Sequence, residues 1–329
     1  MKKKRVLVCG ASGFIGRNVC ERLMGRDDLE VLGTCFKNYH NESLFANFLS
    51  SESCLHHTRD IDIIIQCAAA TAGSGMKDSW LEYADKNIQM NMNLLNAVAK
   101  NGVKHFIFLS CSVMYPPYFN RPVREDDVIR NQFHLDYHEG ALAKLFIEDW
   151  CYAYGSHSDM SSTVIRHSNI YGPHDKFDLK HSHVCGALIT KAMTSTDGKL
   201  HIRGDGTERR DLLYVSDLVD FIEYATVHPP TGRHAKFNVG SGVGVPVHNL
   251  ARQIIAASGR DLEIVYEEAP STARPASIVL DSGLAKMFTG WEPKVSLEEG
   301  LKKTIEWWDA ERPLNHAQRG GENIGKETK

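Results

Sequence analysis

Short apolar runs alternate along the chain with stretches in which apolar residues recur every three or four positions. The runs Val6–Cys9, Val31–Phe36, Ile63–Cys67, His105–Ser110 and Thr163–His167 predict strands. Helical spacing predicts helices over Gly13–Met24, Trp80–Lys100 and Tyr137–Tyr154. Such a succession of βα units predicts a doubly wound α/β fold, a parallel sheet covered on both faces. Leu81, Ala84, Ile88, Leu95 and Val98 make the apolar face expected for the second helix, and Asn101-Gly102 its stop. Asp136 and Glu139 read as a capping pair that starts the third helix at Tyr137.

Beyond Tyr171 the pattern loosens into Pro, Gly, His and Asp, then returns to short strands and helices as far as Trp308. A helix over Leu212–Val227 and a strand over Lys236–Val239 are expected to rejoin the first sheet. The organisation read here is therefore a first domain over 1–171 with 212–240, a smaller α/β lobe over 172–211 and 241–314, and a disordered tail over 315–329.

Between the first strand and helix lies the sequence GASGFIG. Gly10 permits a tight turn, Gly13 lets the backbone approach a pyrophosphate, and Gly16 lets the helix pack closely on the strand. With Ser12, Phe14 and Ile15, these residues form a candidate dinucleotide cradle at a helix N-terminus.

Composition narrows the partners. The formal charge is -3, from 38 basic and 41 acidic residues without segregation, which speaks against a nucleic-acid stripe or a membrane-binding face. A small molecule is the expected partner. Lys2 to Arg5 precede too short an apolar run for a signal peptide, so a cytoplasmic location is expected. The 8 cysteines have no CxxC spacing and are expected to be reduced. No metal site is expected, because His56-His57 and His181/His183 lack ligand spacing.

Taken with the glycine turn, DIDIIIQCAAATAGSG, LSCSVMYP, ALAK, NIYGPHDKF, SHVCGAL and GWEPKVSLEEG resemble the extended short-chain dehydrogenase/reductase family of nucleotide-sugar enzymes. The resemblance runs to about Trp308. It implies a Rossmann-type domain and a nicotinamide cofactor. It also implies a nucleotide-diphosphate sugar substrate and a homodimer formed through the helices over Trp80–Lys100 and Tyr137–Tyr154. The stretch between Phe36 and Ile63, YGPHD and SHV resemble the branch that reduces a 4-keto-6-deoxy sugar nucleotide after epimerising it.

In this family a Tyr four residues before a Lys passes a proton while hydride moves to or from the nicotinamide. A neighbouring ammonium brings the phenol, ordinarily titrating near pH 10, toward neutrality. Lys144 matches the Lys, but Gly140 stands where the Tyr belongs. Tyr137, one helical turn earlier, and His138 are candidate substitutes; the third possibility is a form that binds without turnover. Cys111 fills the family's Ser/Thr position, and adjacent Ser112 offers the better hydrogen-bond donor. His183 matches the His used in epimerisation, whereas Val113 replaces the accompanying Cys, which disfavours epimerisation at two carbons.

On the cofactor side the resemblance adds Ala68, Ala69, Lys144 and His167. The second strand ends in GTCFKNYH, with Lys37 and no acid, which points to NADP while leaving NAD open. For substrate it adds Asn169, His183, Lys191, Arg210 and Arg274, the two arginines as forks for the diphosphate.

Overall fold

The computed structural model describes residues 2–36, 43–70, 80–179, 182–268 and 277–319, with side chains through residue 311. Seven parallel strands form the main sheet: β1 (Lys4–Cys9), β2 (Leu29–Cys35), β3 (Leu44–Phe45), β4 (Ile63–Gln66), β5 (His105–Cys111), β6 (Ser161–His167) and β10 (His234–Val239). Their order is β10-β6-β5-β4-β1-β2-β3. The winding therefore reverses at β1, the position at which a doubly wound sheet forms its crevice, at the carboxyl ends of the strands.

Alternate side chains feed two cores. Val6, Val8, Ile63, Ile65, Ile107 and Leu109 pack beneath α1 (Phe14–Leu23) and α6 (Val215–Val227). Leu7, Cys9, Ile64, Phe106 and Phe108 pack beneath α2 (Ser51–His57), α3 (Trp80–Asn101) and α4 (His138–His157). Burial on both faces is why these strands read as continuous apolar runs.

A three-stranded sheet, β11-β9-β7, joins β7 (Asn169–Tyr171), β9 (Arg209–Tyr214) and β11 (Gly244–Pro246). A separate pair joins β8 (Lys199–Arg203) to β12 (Glu263–Glu267). α5 (Val184–Thr194), α7 (Val247–Ser258) and α9 (Leu297–Arg319) enclose a third core that includes Leu188, Ile189, Leu250, Ile254, Leu301 and Ile305.

Several local expectations are corrected. Leu212 to Tyr214 end strand β9, and the helix begins only at Val215. The run LLYV is too short for its period to separate strand from helix, and pairing with β7 decides it. Asp136 does not cap α4: it lies inside a 3-10 turn over Leu135–Tyr137, where His134 Nδ1 accepts from the Asp136 N–H at 3.2 Å. The apolar face of α3 is also rotated. Leu81 is 74% exposed, while Met90, Leu94 and Ala97 join Ala84, Leu95 and Val98 in the interior. Finally, α9 continues to Arg319, into the stretch expected to be disordered. Ala317, Gln318 and Arg319 favour helix, and a nucleated helix needs no apolar periodicity to propagate. Residues 320–329 lie outside the described residues.

Candidate active site

Gly10 adopts φ +78°, and a Cβ there would lie 2.8 Å from the Ala68 Cα. A Cβ on Gly16 would overlap the Gly10 carbonyl oxygen. These two glycines thus bring β1, β4 and α1 into contact. Gly13 is exposed, and among the described residues its Cβ direction is lined only by the Gly10 oxygen at 3.3 Å. As N-cap of α1 it contributes no side-chain bond to the helix. The leading N–H groups at Phe14, Ile15 and Gly16 have no carbonyl one turn earlier within the helix, so an anion over Gly13 suits them. Phe14 and Ile15 direct their side chains to the core, and Ser12 is half-buried beside the turn. The cradle fits a dinucleotide pyrophosphate. Lys37, the residue bearing on NADP against NAD, lies outside the described residues.

The opposite wall, Ala68 to Ala70, is held by amides that the sequence reading missed. The Ala68 N–H donates to Gln66 Oε1 at 3.1 Å, and Gln66 Nε2 donates to Asn91 Oδ1 at 3.1 Å. Asn87 exchanges bonds with both the N–H and the carbonyl of Ala70, at 2.9 and 2.8 Å. Asn87 and Asn91, one turn apart on α3, were the available signal. Ala69 is exposed at the crevice edge.

Across the crevice, Lys144 on α4 donates to the Leu109 carbonyl at 2.6 Å and stands 4.7 Å from the Phe108 ring centroid. Burial lowers its affinity for a proton; Cys111, Glu148, Cys67 and Cys151 oppose that. Cys111 at the end of β5 is half-buried, and burial pushes its thiol up. Ser112 follows, its carbonyl accepting from the Tyr115 N–H. Among the described residues Gly140 faces open space: a Cβ there meets none of their atoms within 4 Å. Tyr137 is the N-cap of α4, with its ring edge-on to Trp80 at 6.1 Å and tilted on His134 at 5.4 Å. Its ring joins an aromatic cluster with the start of α3. His138 packs 5.8 Å from Phe133.

Beneath this wall runs a buried polar network. Arg166 on β6, 2% exposed, forks onto Glu148 of α4 at 2.6 and 3.1 Å and donates to Tyr115 Oη at 2.9 Å. Ser110 donates to Glu148 at 2.5 Å, and Tyr115 donates to Asn238 at 2.6 Å. The network ties β5, β6, β10 and α4 together under the Cys111–Ser112 turn. An arginine inside the apolar run TVIRH was its sequence signal.

His167 ends β6 in register with Cys111. Its Nδ1 contacts the Ser168 carbonyl at 2.8 Å. Burial pushes this imidazole down to about 4; the Ser168 carbonyl opposes, while Lys144 and His183 add to the depression. His183, the N-cap of α5, opens to solvent on one side, and the protein packed around it, then Lys176, disfavours its charged form. Asn169 Nδ2 donates to the Asp211 carbonyl at 3.1 Å. The buried Asp211 carboxylate collects the N–H groups of Ser241 and Leu280 at 2.8 and 3.0 Å, joining β9 to the loops after β10 and before α8 (Gly283–Thr289).

Two substrate candidates serve structural bonds. Lys191 donates to the His201 carbonyl at 2.9 Å, stapling α5 to β8. Arg210 pairs with Glu208 at 2.8 Å, a salt bridge that the sequence reading disfavoured for this residue. Strand geometry accounts for it, since residues two apart point the same way. Arg274 lies outside the described residues. The structure also adds Asp175, buried near Gly186 of α5, with its carboxyl pushed up to about 7 by burial and its Oδ2 without a partner among the described residues. Ser182 Oγ likewise has no partner among them.

Among the described residues no helix is long and apolar enough to cross a membrane. The chain is similar to GDP-L-fucose synthase of Sinorhizobium fredii, 30% identical over 308 residues that span 92% of this chain and 95% of that protein. It is 28% identical to GDP-L-colitose synthase of Yersinia pseudotuberculosis, covering 92% and 97%. Among solved structures, a UDP-glucose 4-epimerase from Thermotoga maritima, determined with UDP-glucose, matches with TM-score 0.82 at 28% identity over 93% of this chain and 99% of that one. The family model described as NAD dependent epimerase/dehydratase matches residues 6–240, more than half of the chain, and to that family the chain belongs.

Proposed function

We propose that the chain is an NAD(P)-dependent nucleotide-sugar oxidoreductase acting at C4 of the sugar, as a 4-keto reductase or a 4-dehydrogenase. The observation that carries this reading is the gathering, along one sheet edge, of the open Gly13 cradle, Lys144, Cys111, Ser112 and His167, with His183 facing them from α5. The cradle and the α1 N-terminus hold the pyrophosphate. Lys144 has three protons and spends one on Leu109, so the others are available to the nicotinamide ribose. The bound cofactor supplies or accepts hydride. Ser112, with Cys111 beside it, donates to the reacting sugar oxygen. Asn169, His183, Lys191, Arg210 and Arg274 bind the nucleotide sugar, Arg210 by exchanging Glu208 for phosphate oxygens.

Lys37 selects NADP over NAD in this reading, and the names of the curated relatives favour a GDP-sugar. The protein works in the cytoplasm as a homodimer, in keeping with its eight unpaired cysteines and with Leu142, Phe146 and Trp150 exposed along α4. Two other readings have specific support. A C4 epimerase shares the same oxidation step and matches the activity in the name of the solved relative. A binder without turnover is favoured by the open space at Gly140.

Titration calorimetry with NADPH and NADH, followed by single-turnover absorbance with a panel of 4-keto sugar nucleotides, separates the three. One hydride transferred per site supports the oxidoreductase; C4 inversion with no net redox change supports the epimerase. Tight binding without either supports the binder, and no affinity for either ligand class ends the proposal.

A further inference from the structure

Oxidising a sugar alcohol removes a hydride with its bonding pair from carbon and a proton from oxygen as the C=O bond forms. In the reading above, on which this inference rests, the hydride goes to the nicotinamide. The proton needs a base, and Gly140 supplies none. Around the crevice the Cys111 thiol is held neutral by burial, Ser112 is a hydroxyl, and Lys144 is a donor already bonded to Leu109.

His167 differs from these. A carbonyl only accepts, so the bond to Ser168 places the ring proton on Nδ1 and leaves a lone pair on Nε2. Nε2 has no partner among the described residues, and the half-buried ring sits at the strand edge beside Cys111. His183 forms no tautomer-fixing bond among those residues and stands at the positive end of α5. We propose that Nε2 of His167 takes the proton from the reacting sugar hydroxyl during oxidation and returns it to the oxygen during reduction.

The groups facing this imidazole are Lys144 from α4, His183 from α5, Cys111 from β5 and the Ser168 carbonyl. Burial, with Lys144 and His183 adding to it, holds it neutral in the free protein. A diphosphate entering the crevice brings negative charge that raises it toward neutrality, where a base works best.

The test uses full-length protein with 15N-labelled histidine, the His167 signal being assigned by its loss in His167→Gln. Long-range 1H–15N spectra at pH 6 are expected to show the Nδ1–H tautomer, and GDP used as a probe is expected to raise the titration midpoint. In single turnover at saturating NADPH and 4-keto sugar nucleotides, His167→Gln is expected to slow transfer about 100-fold, with GDP affinity preserved and imidazole partly restoring the rate. A proton on Nε2, a midpoint indifferent to GDP, or a variant with unchanged rate and pH profile overturns the role of His167 and leaves the oxidoreductase reading intact. Failure of the parent protein to transfer hydride sinks that reading and this inference with it.

Discussion

Three glycines of this site answer different physical demands. Gly16 is required by contact, so Gly16→Ala is expected to destabilise by about 1–3 kcal/mol and to weaken dinucleotide binding, as denaturant titration and calorimetry would register. Gly140 is constrained by no described residue within 4 Å. Gly140→Tyr is therefore expected to leave the melting temperature unchanged or raise stability by up to about 0.5 kcal/mol, and to place a phenol one turn before Lys144. A drop in melting temperature would mean the space is not open. Tyr137→Phe with unchanged turnover would remove Tyr137 as the acid. Gly13 stands between these cases, open toward the anion. Asp175 gives a pH signature. Its folded pKa, about 7, lies above the ordinary carboxyl value, so its stabilising effect is full below about pH 4 and is lost as pH rises through 7. Asp175→Asn is expected to gain stability relative to the parent as pH goes from 5 to 8; a pH-independent difference would contradict this.

Among the elements, the β5–β6–β10–α4 joint depends most on one interaction. Arg166 and Glu148 are 2% and 5% exposed, so removing one leaves the other's charge buried and unpaired. Glu148→Ala is expected to cost about 3–5 kcal/mol in urea unfolding, and Glu148→Gln less, because Gln keeps an acceptor for Arg166. Equal losses would show that shape rather than charge matters. Helix α4 also carries Phe146 and Trp150 outward with ring centroids 6.1 Å apart. If α3 and α4 form the proposed dimer contact, Trp150→Glu yields a monomer by sedimentation velocity; an unchanged dimer places the interface elsewhere. The start of α4 shows the limit of local pattern. Asp136 and Glu139 have capping-box spacing, yet a preceding 3-10 turn moved the helix start to His138.

Across the molecule, what could be read from residues alone was whatever is decided within about fifteen neighbours. The strand–glycine–helix unit, the parallel α/β fold and Lys144 on its helix all follow from apolar periodicity, turn chemistry and short motifs. Pairing between distant segments was not legible in this way. Leu212 to Tyr214, the end of β9, read locally as helix because the ladder partner β7 lies some forty residues earlier, and Arg210 meets Glu208 only in the extended strand. The same holds for Ala68 pressed on Gly10, for Asn87 and Asn91 clamping the loop, and for Arg166 finding Glu148. The sequence by itself determined the class of fold and the dinucleotide cradle, because both are local. Only the tertiary structure decided which side chains share the crevice, because sheet order, not spacing along the chain, carries His167, Lys144 and Cys111 to one edge and sets His183 against them.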